Sequence, residues 1–187
     1  MNMQVFTSQT LDELANKAKA NPRLRQHKNI HSCYQDPCQR LFNAIEPGSY
    51  IRPHKHATDP RDEMLVAVRG LMALVTFNDE GEVTAVVRFG SEKYASECAV
   101  GVELPSSTWH TVVALVPGCV LLEVKAGPFD PSQPKDLAPW APKEGEPNAK
   151  QYLENLFSRI IGRKCWLSVR KLTQTVNKLK IETSILK

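Results

Sequence analysis

Between residues 39 and 125 the apolar positions fall into short runs separated by polar turns, a rhythm of strands rather than helices. Runs near 39–44, 49–56, 63–69, 71–77, 83–88, 94–104, 108–115 and 119–125 predict strands, with Asn78-Asp79-Glu80-Gly81 closing one hairpin and Pro117-Gly118 turning between the last two. Upstream, residues 8–20 predict a helix: Thr10 with Glu13 makes a capping box, Leu11, Leu14 and Ala18 share a face, and Asn21-Pro22 ends it. The basic, polar stretch 23–32 reads equally as a connector or an edge strand. Residues 127–147 hold six of the thirteen prolines and predict an extended strap, then a linker. Beyond it Tyr152, Leu156, Ile160, Trp166, Val169, Leu172, Val176 and Leu179 recur at helical spacing on either side of Gly162. The expected organisation is a helix and connector over 1–36, a β-domain over 37–127, a strap and linker over 128–150 and an amphipathic basic tail over 151–187. Short strands with frequent turns mean a mainly-β fold; periodicity leaves sandwich and barrel equally open.

Composition narrows the class. The 187 residues are 42% hydrophobic, enough for an ordinary core, and the net charge of +4 is unevenly spread. Residues 151–187 contain eight Lys/Arg against two Asp/Glu, so the first 150 residues sum to −2. A near-neutral domain with a basic tail argues against nucleic-acid binding, which needs its basic face on the folded domain. That tail suits packing on a second subunit, leaving a homodimer open, or lying on an anionic membrane surface, or serving as a plain accessory extension. The start, MNMQVFTSQTLDEL, lacks the basic and apolar regions of a signal peptide, so a cytoplasmic protein is expected. The longest uncharged stretch, 104–122, contains Pro105, His110, Pro117 and Gly118 and reads as two strands and a turn, not a membrane span. Five irregularly spaced cysteines fit reduced thiols better than a disulfide framework. His31, Cys33 and Cys38 lack an evident fourth ligand for zinc.

The chemistry concentrates in GSYIRPHKHATDPRDEMLVAVRG, residues 48–70. His54 and His56 are one residue apart, so on a strand both imidazoles leave the same face. Glu63 opens the apolar run MLVAV, and antiparallel pairing of that run would bring a carboxylate beside the histidines. Asp59 and Asp62 lie in the same loop and are alternative carboxylates.

Gly48, His54, His56, Glu63 and Gly70 resemble the first signature motif of the cupins, and Pro105, Ser107 and His110 in PSSTWH resemble the second. The chain departs from that pattern in a gap of six residues between His56 and Glu63, in Ser107 for a glycine, and in Ala114 where many cupins have asparagine. More closely, DPCQRLFNAIEPGSYIRPHKH, VELPSSTWHTVVAL, LLEVKAGPFDP and DLAPWAP resemble the WbuC-type cupin-fold metalloproteins, a family associated with lipopolysaccharide O-antigen biosynthesis clusters. The resemblance implies a double-stranded β-helix, or jelly-roll barrel, that holds one divalent ion (Fe, Mn, Ni or Zn) through His54, His56, Glu63 and His110. If the two histidines point into the barrel, alternation sends Tyr50 and Arg52 the same way. Arg52 would then hold an anionic group or pair with Asp59 or Asp62, and Tyr50 would offer a surface for a sugar or ring. Glu123 and Lys125 share a face whose orientation one strand leaves undecided. The expected activity is metal-dependent chemistry on a small, polar, anionic substrate, a sugar or nucleotide-sugar intermediate of surface polysaccharide, by an isomerase- or oxygenase-type enzyme. The rival is a non-catalytic binder or sensor in which the ion orients a ligand.

Overall fold

The computed structural model describes residues 3–57, 60–94, 98–132 and 135–162. Its elements run α1 (Ser8–Ala20), β1 (Arg25–Asn29), β2 (Cys38–Ile45), β3 (His54–Lys55), β4 (Glu63–Arg69), β5 (Leu71–Phe77), β6 (Val83–Gly90), a 3-10 turn (Glu92–Tyr94), β7 (Gly101–Leu104), β8 (Trp109–Ala114), β9 (Cys119–Ala126), β10 (Asp136–Leu137) and α2 (Ala149–Gly162). The strands form two five-stranded sheets, ordered β1-β2-β9-β4-β7 and β10-β3-β8-β5-β6, with every ladder antiparallel. This is the mainly-β jelly roll expected from the sequence, with a helix at each end of the described chain.

Alternation along the strands sorts residues into three apolar layers. Between the sheets lie Ile45, Leu65, Ala67, Met72, Leu74, Phe89, Val112, Ala114 and Leu121. Outside the first sheet, α1 covers Phe42, Ala44 and Val120 with Leu14 and Ala18. Outside the second sheet, Val75, Phe77, Trp109 and Val113 lie under Leu153, Leu156 and Ile160 of α2 and Ala138 and Ala141 of the strap. Gly70 turns the chain from β4 in one sheet to β5 in the other. Its φ is +81°, and a Cβ there would stand 2.6 Å from Cys119 Sγ, so both backbone conformation and space require glycine.

Several boundaries differ from the sequence expectation for identifiable reasons. The helix α1 spans 8–20 as expected, but its capping box uses Thr7 and Thr10, not Thr10 and Glu13: the Thr7 hydroxyl accepts from Thr10 N and the Thr10 hydroxyl from Thr7 N. The basic stretch after α1 is an edge strand, β1, paired along its length with β2. The expected strand 49–56 survives only as His54–Lys55, because Pro53 has no N–H to donate to a ladder. The expected strand 94–104 contracts to Gly101–Leu104. In the strap, β10 pairs with β3, Asp136 opposite Lys55 and Leu137 opposite His54.

The expected boundary at 151 is corrected as well. α2 begins at Ala149, and its face Ala149, Leu153, Leu156 and Ile160 is buried in the layer over the second sheet. Fully burying each of the three large side chains stabilises the fold by roughly 1.5–3 kcal/mol. This helix belongs to the barrel's core, whereas β1 and β10 are half-exposed edge strands, one on each sheet. The positions Trp166, Val169, Leu172, Val176 and Leu179 lie outside the described residues. Among the described residues no helix is long and apolar enough to cross a membrane.

Candidate metal centre

The inward-facing positions change character along the barrel. β8 presents His110, Val112 and Ala114, β4 presents Glu63, Leu65 and Ala67, and β9 runs from Lys125 and Glu123 to Leu121 and Cys119. One end is packed with apolar side chains; the other is a polar cavity of about 400 Å³. His54, His56, Glu63 and His110 meet in that cavity, each offering one ligand atom, all within 4.8 Å of one another. That spread is close to what one divalent ion with bonds of about 2.0–2.2 Å can bridge.

Local structure places each member. His54 stands directly opposite His110 in the β3–β8 ladder, with ring centroids 4.4 Å apart. His56 is fixed just past β3 by its N–H donating to Ser106 O at 2.7 Å. Glu63 comes from the other sheet, in register with Lys125 of β9 and Leu104 of β7. The long loop before it does not shift the carboxylate, because Asp62 is occupied elsewhere, accepting from Ser106 N at 3.0 Å. Asp59 lies outside the described residues.

The hydrogen bonds define the tautomers. His54 Nδ1 is 3.1 Å from Arg52 O and His110 Nδ1 is 2.9 Å from Thr108 O. A carbonyl oxygen only accepts, so each Nδ1 carries the hydrogen and a neutral ring turns its Nε2 lone pair inward. This backbone anchoring is the usual outer support of metal-ligating histidine. Glu63 Oε2 lies 3.2 Å from His110 Nε2, and Oε1 lies 3.1 Å from His56 Nε2. His56 Nε2 is buried without a hydrogen-bond partner among the described residues. Imidazole lone pairs converging on carboxylate oxygens are satisfied by a proton or a cation between them, so this donor set fits a divalent ion.

Electrostatics follow from the same contacts. Lys125 Nζ sits 3.0 Å from Glu63 Oε1 and 2.9 Å from Glu123 Oε1, bridging the two cavity carboxylates. Burial lowers Lys125, but Glu123 and Glu63 outweigh it and hold the ammonium above its ordinary range. Burial works to raise Glu63; the His110 and His56 imidazoles and Lys125 overcome it and keep the carboxyl well below 4.5. Burial, then the charges of Lys135 and His110, hold His54 well below 6.5.

Tyr50 and Arg52 correct the expectation. Neither lines the cavity. The Tyr50 hydroxyl donates to Pro142 O at 2.8 Å and its ring packs edge-on against Tyr152 of α2, 5.9 Å between centroids. Arg52 donates through Nε and Nη2 to Ala138 O, tying down the strap. The alternation was carried through residues that are not a strand: with Pro53 interrupting, Ile51 packs toward the inter-sheet layer and the two polar side chains face outward. The cavity's polar groups come instead from Arg25, Glu123, Lys125, Lys135 and the ligands. Glu123 and Lys125 were visible as a pair sharing a face. Arg25 and Lys135, on an edge strand and a proline-rich strap, carried no signal. The alternative cluster at His31 is not assembled: among the described residues the barrel site alone brings three or more such ligands together, and His31 Nδ1 is engaged by the Arg40 backbone.

A family model described as a domain of unknown function (DUF6016) matches residues 6–89. No curated protein matches the sequence. Among solved structures, KdgF from a Halomonas species is similar at 20% identity and TM-score 0.42, over 58% of this chain and 82% of that one. An RmlC-like cupin protein from Desulfovibrio desulfuricans is 18% identical at TM-score 0.41, over 55% and 81%. A Bacillus subtilis oxalate decarboxylase is 14% identical at TM-score 0.44, over 60% of this chain and 27% of its own.

Proposed function

We propose that this chain is a metal-dependent barrel protein of the cupin type, in which His54, His56, Glu63 and His110 hold one divalent ion facing a small, polar, anionic ligand. The observation that carries the reading is the convergence of three imidazoles, two oriented by backbone carbonyls, on a buried carboxylate at the open end of a 400 Å³ cavity. An ion held there would act as a Lewis acid on a hydroxyl or carbonyl oxygen. The chain's own groups do the rest: the apolar wall of Ile51, Leu65 and Val112 limits water, and the cationic side chains select charge. The cavity suits a monosaccharide-sized ligand. The resemblance to WbuC-type proteins supports a sugar or nucleotide-sugar intermediate of O-antigen or other surface polysaccharide assembly, met in the cytoplasm.

A second reading, a binder without turnover, is favoured by one feature. Both cavity carboxylates, Glu63 and Glu123, are paired with Lys125, which leaves no unengaged carboxylate among the described cavity residues to serve as general base. Elemental analysis tests the shared core: wild type carries about one divalent ion per chain, His110→Ala is largely empty, Glu63→Gln is reduced less, and Cys33→Ala is unchanged. Metal retained in His110→Ala and lost in Cys33→Ala would overturn the reading. Incubation with a panel of nucleotide-sugars, followed by thermal shift and product analysis, separates enzyme from binder.

A further inference from the structure

The cavity has more positive charge than its acidic groups use. Lys125 is consumed by Glu63 and Glu123. Arg25 is held by Glu144 at 2.5 Å and by Tyr50 O at 2.9 Å, and Arg23 shares the same carboxylate. Lys135 is different. It stands on the strap immediately before β10, whose register beside β3 sets it next to His56, and it lines the same cavity as the three histidines. Its amine has no ion pair or hydrogen bond among the described residues. Its charge is nonetheless felt at His54, Glu63 and Glu123. Lys135 is exposed overall, so its ammonium, unpaired at the lining of a polar cavity, is open to an incoming anion that no side chain there has to release.

We infer that Lys135 is the anion-recognition residue of this site, and that the ligand carries a carboxylate or phosphate which binds the Lys135 ammonium while its neutral oxygens face the His54, His56, Glu63 and His110 cluster. The inference rests on the metal-site reading for the ligand's second anchor. It assigns to the strap the role that alternation had given to Arg52, and it makes the ligand an acidic or phosphorylated sugar rather than a neutral one. A lysine suits either anion, since its ammonium acts as a compact point charge rather than a planar fork.

The test is calorimetric titration of the full chain, metal-loaded and metal-stripped, with D-glucuronate, glucose 1-phosphate and neutral D-glucose. Wild type prefers at least one of the two anionic sugars over glucose by about tenfold or more, as a charge-assisted contact requires. Preference for glucuronate alone identifies a carboxylate ligand and preference for glucose 1-phosphate alone a phosphorylated one; either supports the inference. Lys135→Gln removes the preference with metal content unchanged, and Lys135→Arg retains most of it. Failure of both anions to bind better than glucose overturns the inference, as does a preference that survives in Lys135→Gln. These failures are distinguishable from failure of the metal site: a chain that takes up no divalent ion when it is supplied, yet shows Lys135-dependent anion preference, removes the metal reading alone, whereas a metal-loaded chain indifferent to Lys135→Gln removes the inference alone.

Discussion

At the scale of single residues the site is a buried charge network whose members depend on one another. Lys125 is the hinge of it, because it neutralises two carboxylates that are themselves nearly dry. Lys125→Ala in the metal-stripped chain should cost about 3–5 kcal/mol, the usual result of leaving a buried charge unpaired, measured by denaturant unfolding. Acid should act in the same direction. The folded-state pKa of His54 lies below its ordinary 6.5, so as pH falls through 6.5 the unfolded chain takes up a proton that the folded chain refuses, and stability drops. Glu63, held below 4.5, extends the loss to lower pH. Midpoints of urea unfolding for the metal-stripped chain should therefore fall steadily from pH 7 to pH 4; a flat profile would mean that these groups are not coupled to folding. The positions of His54, His56, Glu63 and His110 were legible because spacing alone puts the first two on one face and the resemblance pairs them with the others. Lys135 was not, because nothing in a proline-rich strap says which side of a sheet it will cover.

Among the elements, the segment between β2 and β3 shows where period-two reasoning stops. Alternation holds in β4, β5, β8 and β9, where continuous ladders fix the faces, and those strands were read nearly to the residue. It fails across Pro53, where no ladder exists to enforce it. Arg52→Ala should thus leave metal content unchanged and loosen the strap instead, since two donors to Ala138 O disappear. Limited proteolysis within 128–142 should accelerate in that variant. At the other end of the chain, Thr7→Ala should destabilise the protein by about 1 kcal/mol through loss of the α1 cap, while Glu13→Ala, which makes no cap, should be near neutral. The pair Thr10 and Glu13 has the spacing of a capping box, but Thr10 already lies inside the helix, in its first turn, so the cap falls to Thr7.

For the molecule as a whole, the two helices are lids on opposite faces of one barrel, and α2 completes its core. Ile160 is fully buried, so Ile160→Ala should cost about 2–5 kcal/mol in thermal or chemical unfolding, a loss that an independent tail would not transmit to the barrel. The gradient along the barrel interior has a mechanical consequence. The closed end, plugged by Met72, Phe89 and Cys119, behaves as a solid base. The rim is polar instead: Glu63 faces His56 and His110 across the gap between the sheets at 3.1 and 3.2 Å, beside His54, whose imidazole resists protonation. A vessel built this way is stiff below and compliant at the lip, and its compliance is set by acidity. Mild acid, by forcing a proton onto His54, should lower the amide protection factors at Lys55 and Leu137, taken relative to the slower intrinsic exchange in acid, while Leu74 and Val75 stay protected, so the barrel would loosen at its mouth well before it melts.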